Sequence, residues 1–268
     1  MITQPAIPTD PPLGVVRTVP PPARTFWTFI GIYVLATLLG SAAMLALQPV
    51  SGIDPAALSL VQFAPALGAL VTWLIGRKVL GPLLPAPVSA RQVRENLGYI
   101  VAACVLLSLL IAGATALAGR DLVGPVAVGG APFVVFVVIQ LVGATGEEIG
   151  WRGFLQPLLE SRMRRVVAIA VTGAMWALWH VQAFGAGPVV AVSFFVSTMA
   201  FAALLGALGT GGLWQRVLVA AVGHWLINVG IYLTVGNETL GRPHIVIAAV
   251  GAVFVAAATL AVRSWRTR

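Results

Sequence analysis

Charge is what this chain has least of. Only 9% of its 268 residues are Asp, Glu, Lys or Arg, where a soluble domain carries about a quarter. Too little polar surface remains to coat a protein in water, so a bilayer must be part of its solvent. Cysteine is almost absent too. The single Cys104 excludes an internal disulfide and any cysteine-cluster metal site, and its apolar run makes it a core-filling residue. Lysine occurs once, at Lys78, against fifteen arginines, a composition of the GC-rich bacterial kind. No HExxH helix is present, so the common zinc-protease signature is missing. There is no internal repeat and no sign of a second domain. Residues 1–25 hold seven prolines and no apolar core. They predict a disordered, Pro-rich cytoplasmic tail rather than a secretory signal.

What the chain has instead is hydrophobic length. Eight apolar runs follow the tail, at 26–47, 56–76, 97–118, 132–155, 166–184, 189–208, 217–235 and 245–262. Each is near the ~20 residues a spanning helix needs. They predict one all-α transmembrane domain over 26–268, a polytopic bundle of about eight helices. Net charge is +8, but the basic residues lie in the breaks between runs. They face lipid headgroups and exclude a nucleic-acid partner. With the N-terminus inside, cytoplasmic segments hold 13 basic residues: Arg17, Arg24, Arg77, Lys78, Arg91, Arg94, Arg162, Arg164, Arg165, Arg216, Arg263, Arg266 and Arg268. The outer loops hold 2, Arg120 and Arg242. That asymmetry predicts a multi-pass protein of the cell membrane with both termini cytoplasmic.

Against this background, Gly146-Glu147-Glu148-Ile149-Gly150-Trp151-Arg152 stands out. A charge at membrane depth costs at least ~2.5–3.5 kcal/mol on insertion scales, and three together need a reason. Glu148 and Arg152 are i, i+4 with the acid first, the favoured order for an ion pair. They are expected to brace each other. Glu147 points about 100° away and stays free for chemistry. Trp176 with His180, and His224 with Asn228, repeat the i, i+4 spacing on later helices. At 1.5 Å per residue, Glu147 and His180 lie roughly 22 Å from the cytoplasmic boundary, and His224 and Asn228 roughly 12–18 Å, if the helices are continuous. Three helices therefore bring polar groups to overlapping depths.

These groups suit amide hydrolysis. A carboxylate with a histidine can hold and deprotonate a water. A second histidine and an amide can donate to the oxyanion of an attacked carbonyl. The rival reading makes Glu147, His180 and His224 ligands of one zinc ion with an open position for water. Asn228, a poor zinc ligand but a good oxyanion donor, tilts the choice towards metal-free water activation. Trp151 and Trp176 are expected to wall the site. Gly146 and Gly150 permit close helix approach. His244 is expected at the outer interface. Trp27, Trp73, Trp214 and Trp265 are expected as interfacial anchors. Two other classes remain open: a non-proteolytic membrane scaffold or bacteriocin-immunity protein, and a proton-coupled transporter using a Glu/His relay.

The motifs resemble those of the CPBP (ABI) family, the type II CAAX prenyl proteases and their bacterial relatives. EExxxR corresponds to Glu147, Glu148 and Arg152. Aromatic-xxx-His corresponds to Trp176 and His180, with Trp where Phe is common. HxxxN corresponds to His224 and Asn228. The resemblance covers about 132–235. It implies an intramembrane endopeptidase acting on membrane-embedded or membrane-anchored peptides or proteins. It implies water activation by Glu147 and His180, and oxyanion stabilisation by His224 and Asn228. Its members are often labelled metalloproteases, so the resemblance leaves zinc open.

Overall fold

The computed structural model describes residues 21–266, so most of the Pro-rich tail lies outside the described residues. The first helix, α1 (Ala23–Leu47), opens three residues before the apolar run, directly after Pro22. It is followed by α2 (Ala64–Leu80), α3 (Ala90–Leu117), α4 (Phe133–Glu148), α5 (Gln156–Glu160), α6 (Arg165–Trp179), α7 (Val181–Gly185), α8 (Pro188–Leu208), α9 (Leu213–Val235) and α10 (His244–Arg266). No strand is named among the described residues, and the chain is a polytopic all-α membrane protein. Among the described residues, seven stretches are long and apolar enough to cross a membrane.

Helical spacing sorts each helix into an inner and an outer face. On α1, Phe26, Phe29, Ile30, Tyr33, Thr37, Gly40 and Ser41 are buried. Leu35, Leu38, Leu39 and Leu45 on its other side are exposed, as suits contact with acyl chains. A small-residue stripe on α2 lets α1 approach closely. A Cβ at Gly68 would collide with the Thr37 hydroxyl, and one at Gly76 with the Phe29 ring. α3 buries Ile100, Cys104, Leu107 and Ile111 against α9 and α10, and its Asn96 donates to the Leu208 carbonyl at the end of α8 at 2.8 Å.

Two local departures position the site. α4 does not run on as a regular helix. It passes into a wide π-helical stretch, Ile149–Leu155, beginning one residue after the acidic pair. Pro157 lacks the N–H that would close a regular turn on the carbonyl of Gly153. The fifth apolar run is also not one continuous helix. α6 stops at Trp179, and His180 takes φ −84° and ψ 62° before the short α7 begins. The His180 ring nitrogen Nδ1 lies 2.9 Å from the Trp176 carbonyl. The residue thus caps its own helix. Non-helical backbone at membrane depth is tolerated where it lines a cavity, and His180 does so.

The basic cluster at the predicted cytoplasmic end differs from the expectation. Arg165 Nη2 donates to the carbonyls of Gly206 at 2.7 Å and Gly209 at 3.0 Å. Arg263 Nη1 donates to Ala207 at 2.7 Å. Arg216 is buried and pairs with Glu160 at 2.7 Å. Three of the supposed headgroup-facing arginines therefore serve the fold. The last carbonyls of α8 have no helical partner, and cations are favoured there. The 13-to-2 asymmetry still predicts sidedness. Reporter fusions at Arg120 and Arg242 are expected to report outside, and those at Arg91 and Arg164 inside. The opposite result at either pair contradicts that orientation.

Candidate active site

The two carboxylates diverge as adjacent helical residues should. Glu148 is fully buried, and its Oε1 accepts from Arg152 Nη1 at 2.8 Å and meets His224 Nδ1 at 2.9 Å. The i, i+4 pair read from the sequence is present. Its carboxylate also holds a histidine 76 residues away, a contact that spacing within one helix does not reveal. Arg152 lies over the Trp176 ring, its guanidinium carbon 4.3 Å from the centroid. Stacking and ion pairing together offset the desolvation of a cation inside the bundle.

Glu147, 2% exposed, turns towards α6 and the α1–α2 connection. Its Oε2 accepts from the Trp176 indole N–H at 2.8 Å. Its Oε1 accepts from Gln62 Nε2 at 3.3 Å. Each oxygen keeps a lone pair for a water. A carbonyl only accepts, so His180 must donate Nδ1–H to Trp176, which leaves Nε2 bare in the neutral ring. A carboxylate also only accepts, so His224 donates Nδ1–H to Glu148, and its Nε2 is likewise the available nitrogen. Asn228 Nδ2 donates to Gln140 Oε1 at 3.2 Å, and Gln140 Nε2 donates to the Ala57 carbonyl at 3.0 Å. That relay fixes both amides and leaves Asn228 one free N–H.

Glu147, His180, His224 and Asn228 all line one cavity of about 320 Å³. Trp176 lines it as well, its ring centroid 6.1 Å from that of His180 and 5.1 Å from that of His224. Trp151 does not reach it. It sits behind, packed edge-on against Tyr33 and Trp179. His244, expected at the interface, is buried, contacts Thr115 at 3.5 Å and lines the cavity. Trp27, Trp214 and Trp265 are exposed, as anchors are, whereas Trp73 is partly buried against the core.

The zinc alternative is tested by the donor set. Among the described residues, no three His, Cys, Asp or Glu side chains are grouped to hold a metal ion. The Nδ1 atoms of His180 and His224 are engaged by Trp176 and Glu148, which orients both rings and leaves Nε2 of each open, as ligand histidines are held. Glu147, His180 and His224 are nonetheless not grouped to hold one ion, and no chemical step is drawn through a metal. The residues that sequence reasoning missed are Gln62 and Gln140. Each is a glutamine within an apolar run, the one weak signal available.

Residues 129–230 match the family described as type II CAAX prenyl endopeptidase Rce1-like. A CAAX prenyl protease 2 from Methanococcus maripaludis is 42% identical over 48 residues, 18% of this chain and 18% of that protein. The aligned stretch thus spans under a fifth of that relative. All three motifs lie within the matched residues, and the resemblance they carry is to the Rce1-like type II CAAX prenyl endopeptidases.

Proposed function

We propose that this chain is an intramembrane endopeptidase that hydrolyses peptide bonds of membrane-associated proteins or peptides. The observation that carries the proposal is the shared cavity: a carboxylate, two histidines and an amide from α4, the α6–α7 break and α9 face one space inside the bundle. The Rce1-like match supports the reaction class.

In this reading Glu147 accepts a proton from a water that attacks the scissile carbonyl, with His180 Nε2 as second acceptor to that water. The oxyanion receives hydrogen bonds from Asn228 Nδ2 and from a protonated His224 Nε2. Glu148 balances that imidazolium charge from the far side of the ring. Collapse breaks the C–N bond, and the amine leaves with the proton held at Glu147. One water is consumed, and one carboxyl and one amine terminus appear. Charge develops beside donors already held in place by the fold, and such preorganised donors stabilise it without reorganising. The apolar parts of the wall, Ile111, Ile227, Ile231 and Phe201, suit an apolar substrate segment.

Asn228→Ala tests the oxyanion assignment. Loss of one such donor is expected to lower kcat by about 10²–10³, with thermal stability in detergent close to wild type because Asn228 is only partly buried. An unchanged kcat removes Asn228 from the mechanism.

A further inference from the structure

The first two helices carry none of the motifs and lie outside residues 129–230, yet one of their connections reaches the acidic pair. We infer that Gln62 is a positioning residue for Glu147, a role that rests on the proposed use of Glu147 as general base. Gln62 belongs to the 3₁₀ turn Leu60–Phe63 just before α2. The Glu147 carboxylate can only accept, so the Gln62 amide must present Nε2 to it, at 3.3 Å. With the Trp176 indole on the other oxygen, the carboxylate is held from both ends and its plane is fixed relative to the cavity.

The chain around Gln62 is built to keep it there. Gln48 Oε1 accepts from the Leu60 N–H at 2.7 Å, and Gln48 Nε2 donates to the carbonyls of Ile53 at 2.8 Å and Leu58 at 3.2 Å. The Gln140 amide holds the Ala57 carbonyl, and the Tyr232 hydroxyl donates to that of Ala56 at 3.2 Å. Opposite this connection, α4 and the π stretch present Gly143, Gly146 and Gly150. A Cβ at Gly143 would collide with the Gln62 side chain, one at Gly146 would come within 2.8 Å of Phe63, and one at Gly150 would overlap Pro65. Three missing side chains form the groove into which residues 62–65 are laid. The expected Gly146/Gly150 close approach is therefore to this connection. Packing alone requires only a side chain of this length at 62. The amide nitrogen on the carboxylate is the added feature.

The test uses the purified full chain and a quenched fluorescent transmembrane peptide. Gln62→Met keeps length and packing but removes the donor. The expected result is a kcat lower by about tenfold with KM within about twofold, modest because a 3.3 Å bond is long and Trp176 still holds the other oxygen. The thermal midpoint should match wild type. If the methionine variant fails to accumulate, the isosteric Gln62→Glu, which sets an oxygen against Glu147, carries the same expectation. A kcat within twofold of wild type in the accumulating variant overturns the inference. So does a change in KM alone, or a kcat loss matched by a fallen midpoint. Glu147→Gln run in parallel separates the two ideas: activity there removes the general base itself. Inactivity there with normal Gln62→Met turnover removes only the role of Gln62.

Discussion

Glu147→Gln is expected to abolish peptide cleavage, by about 10³-fold or more, while the protein still accumulates in the membrane. General bases contribute about 10²–10⁴ to rate, and loss of the carboxylate leaves His180 Nε2 as the water's single acceptor. Glu148 is committed to Arg152 and His224. Folding should survive because Gln keeps the shape and still accepts the Trp176 N–H through its carbonyl. New C-termini counted in membranes from cells making either version provide the measurement. Equal numbers from both contradict the assignment.

Arg152→Met is expected to act on stability. Glu148 is fully buried, and the arginine that neutralises it is 1% exposed. Breaking a buried pair from one side costs about 3–5 kcal/mol, a third or more of the total stability of many domains. The Trp176 ring also loses the cation stacked on it. A sharply lower thermal midpoint in detergent and reduced abundance in the membrane should follow. The double variant Glu148→Gln/Arg152→Met removes both charges and should recover part of the loss, because the two residues are coupled. Single and double variants that melt like wild type would show that the brace carries no stability.

The charged members of the site were legible because so few charges exist to compete with them. Glu147, Glu148 and Arg152 share one short stretch of a long apolar run, and the Glu148–Arg152 pair followed from helical spacing alone. Depth arithmetic brought His180, His224 and Asn228 to overlapping depths. The break at His180 was hidden, since no Pro or Gly stands at the spot and the hydropathy of residues 166–184 continues through it. The ring itself caps the helix. Gln62 and Gln140 were hidden for a different reason. They carry no charge, and their partners lie 85 and 88 residues away. Arg165 and Arg263 looked like headgroup ligands because composition cannot show that the end of α8 needs donors for its carbonyls, and Arg216 because it cannot show that Glu160 lies beside it. His244 looked interfacial by its position at a helix start, but α3 supplies Thr115 to cover it.

Isotope labelling puts hydrolysis inside the bundle by Glu147-activated water to the test. Wild-type protein, purified in detergent, is mixed in ¹⁸O-enriched water with membranes from cells lacking it, and the resulting peptides are mapped by mass spectrometry. New C-terminal carboxylates bearing one ¹⁸O are expected, located in or beside membrane-spanning segments and missing when Glu147→Gln protein is used. A scaffold or a transporter generates no labelled terminus. Absence of any labelled, Glu147-dependent C-terminus would contradict the claim.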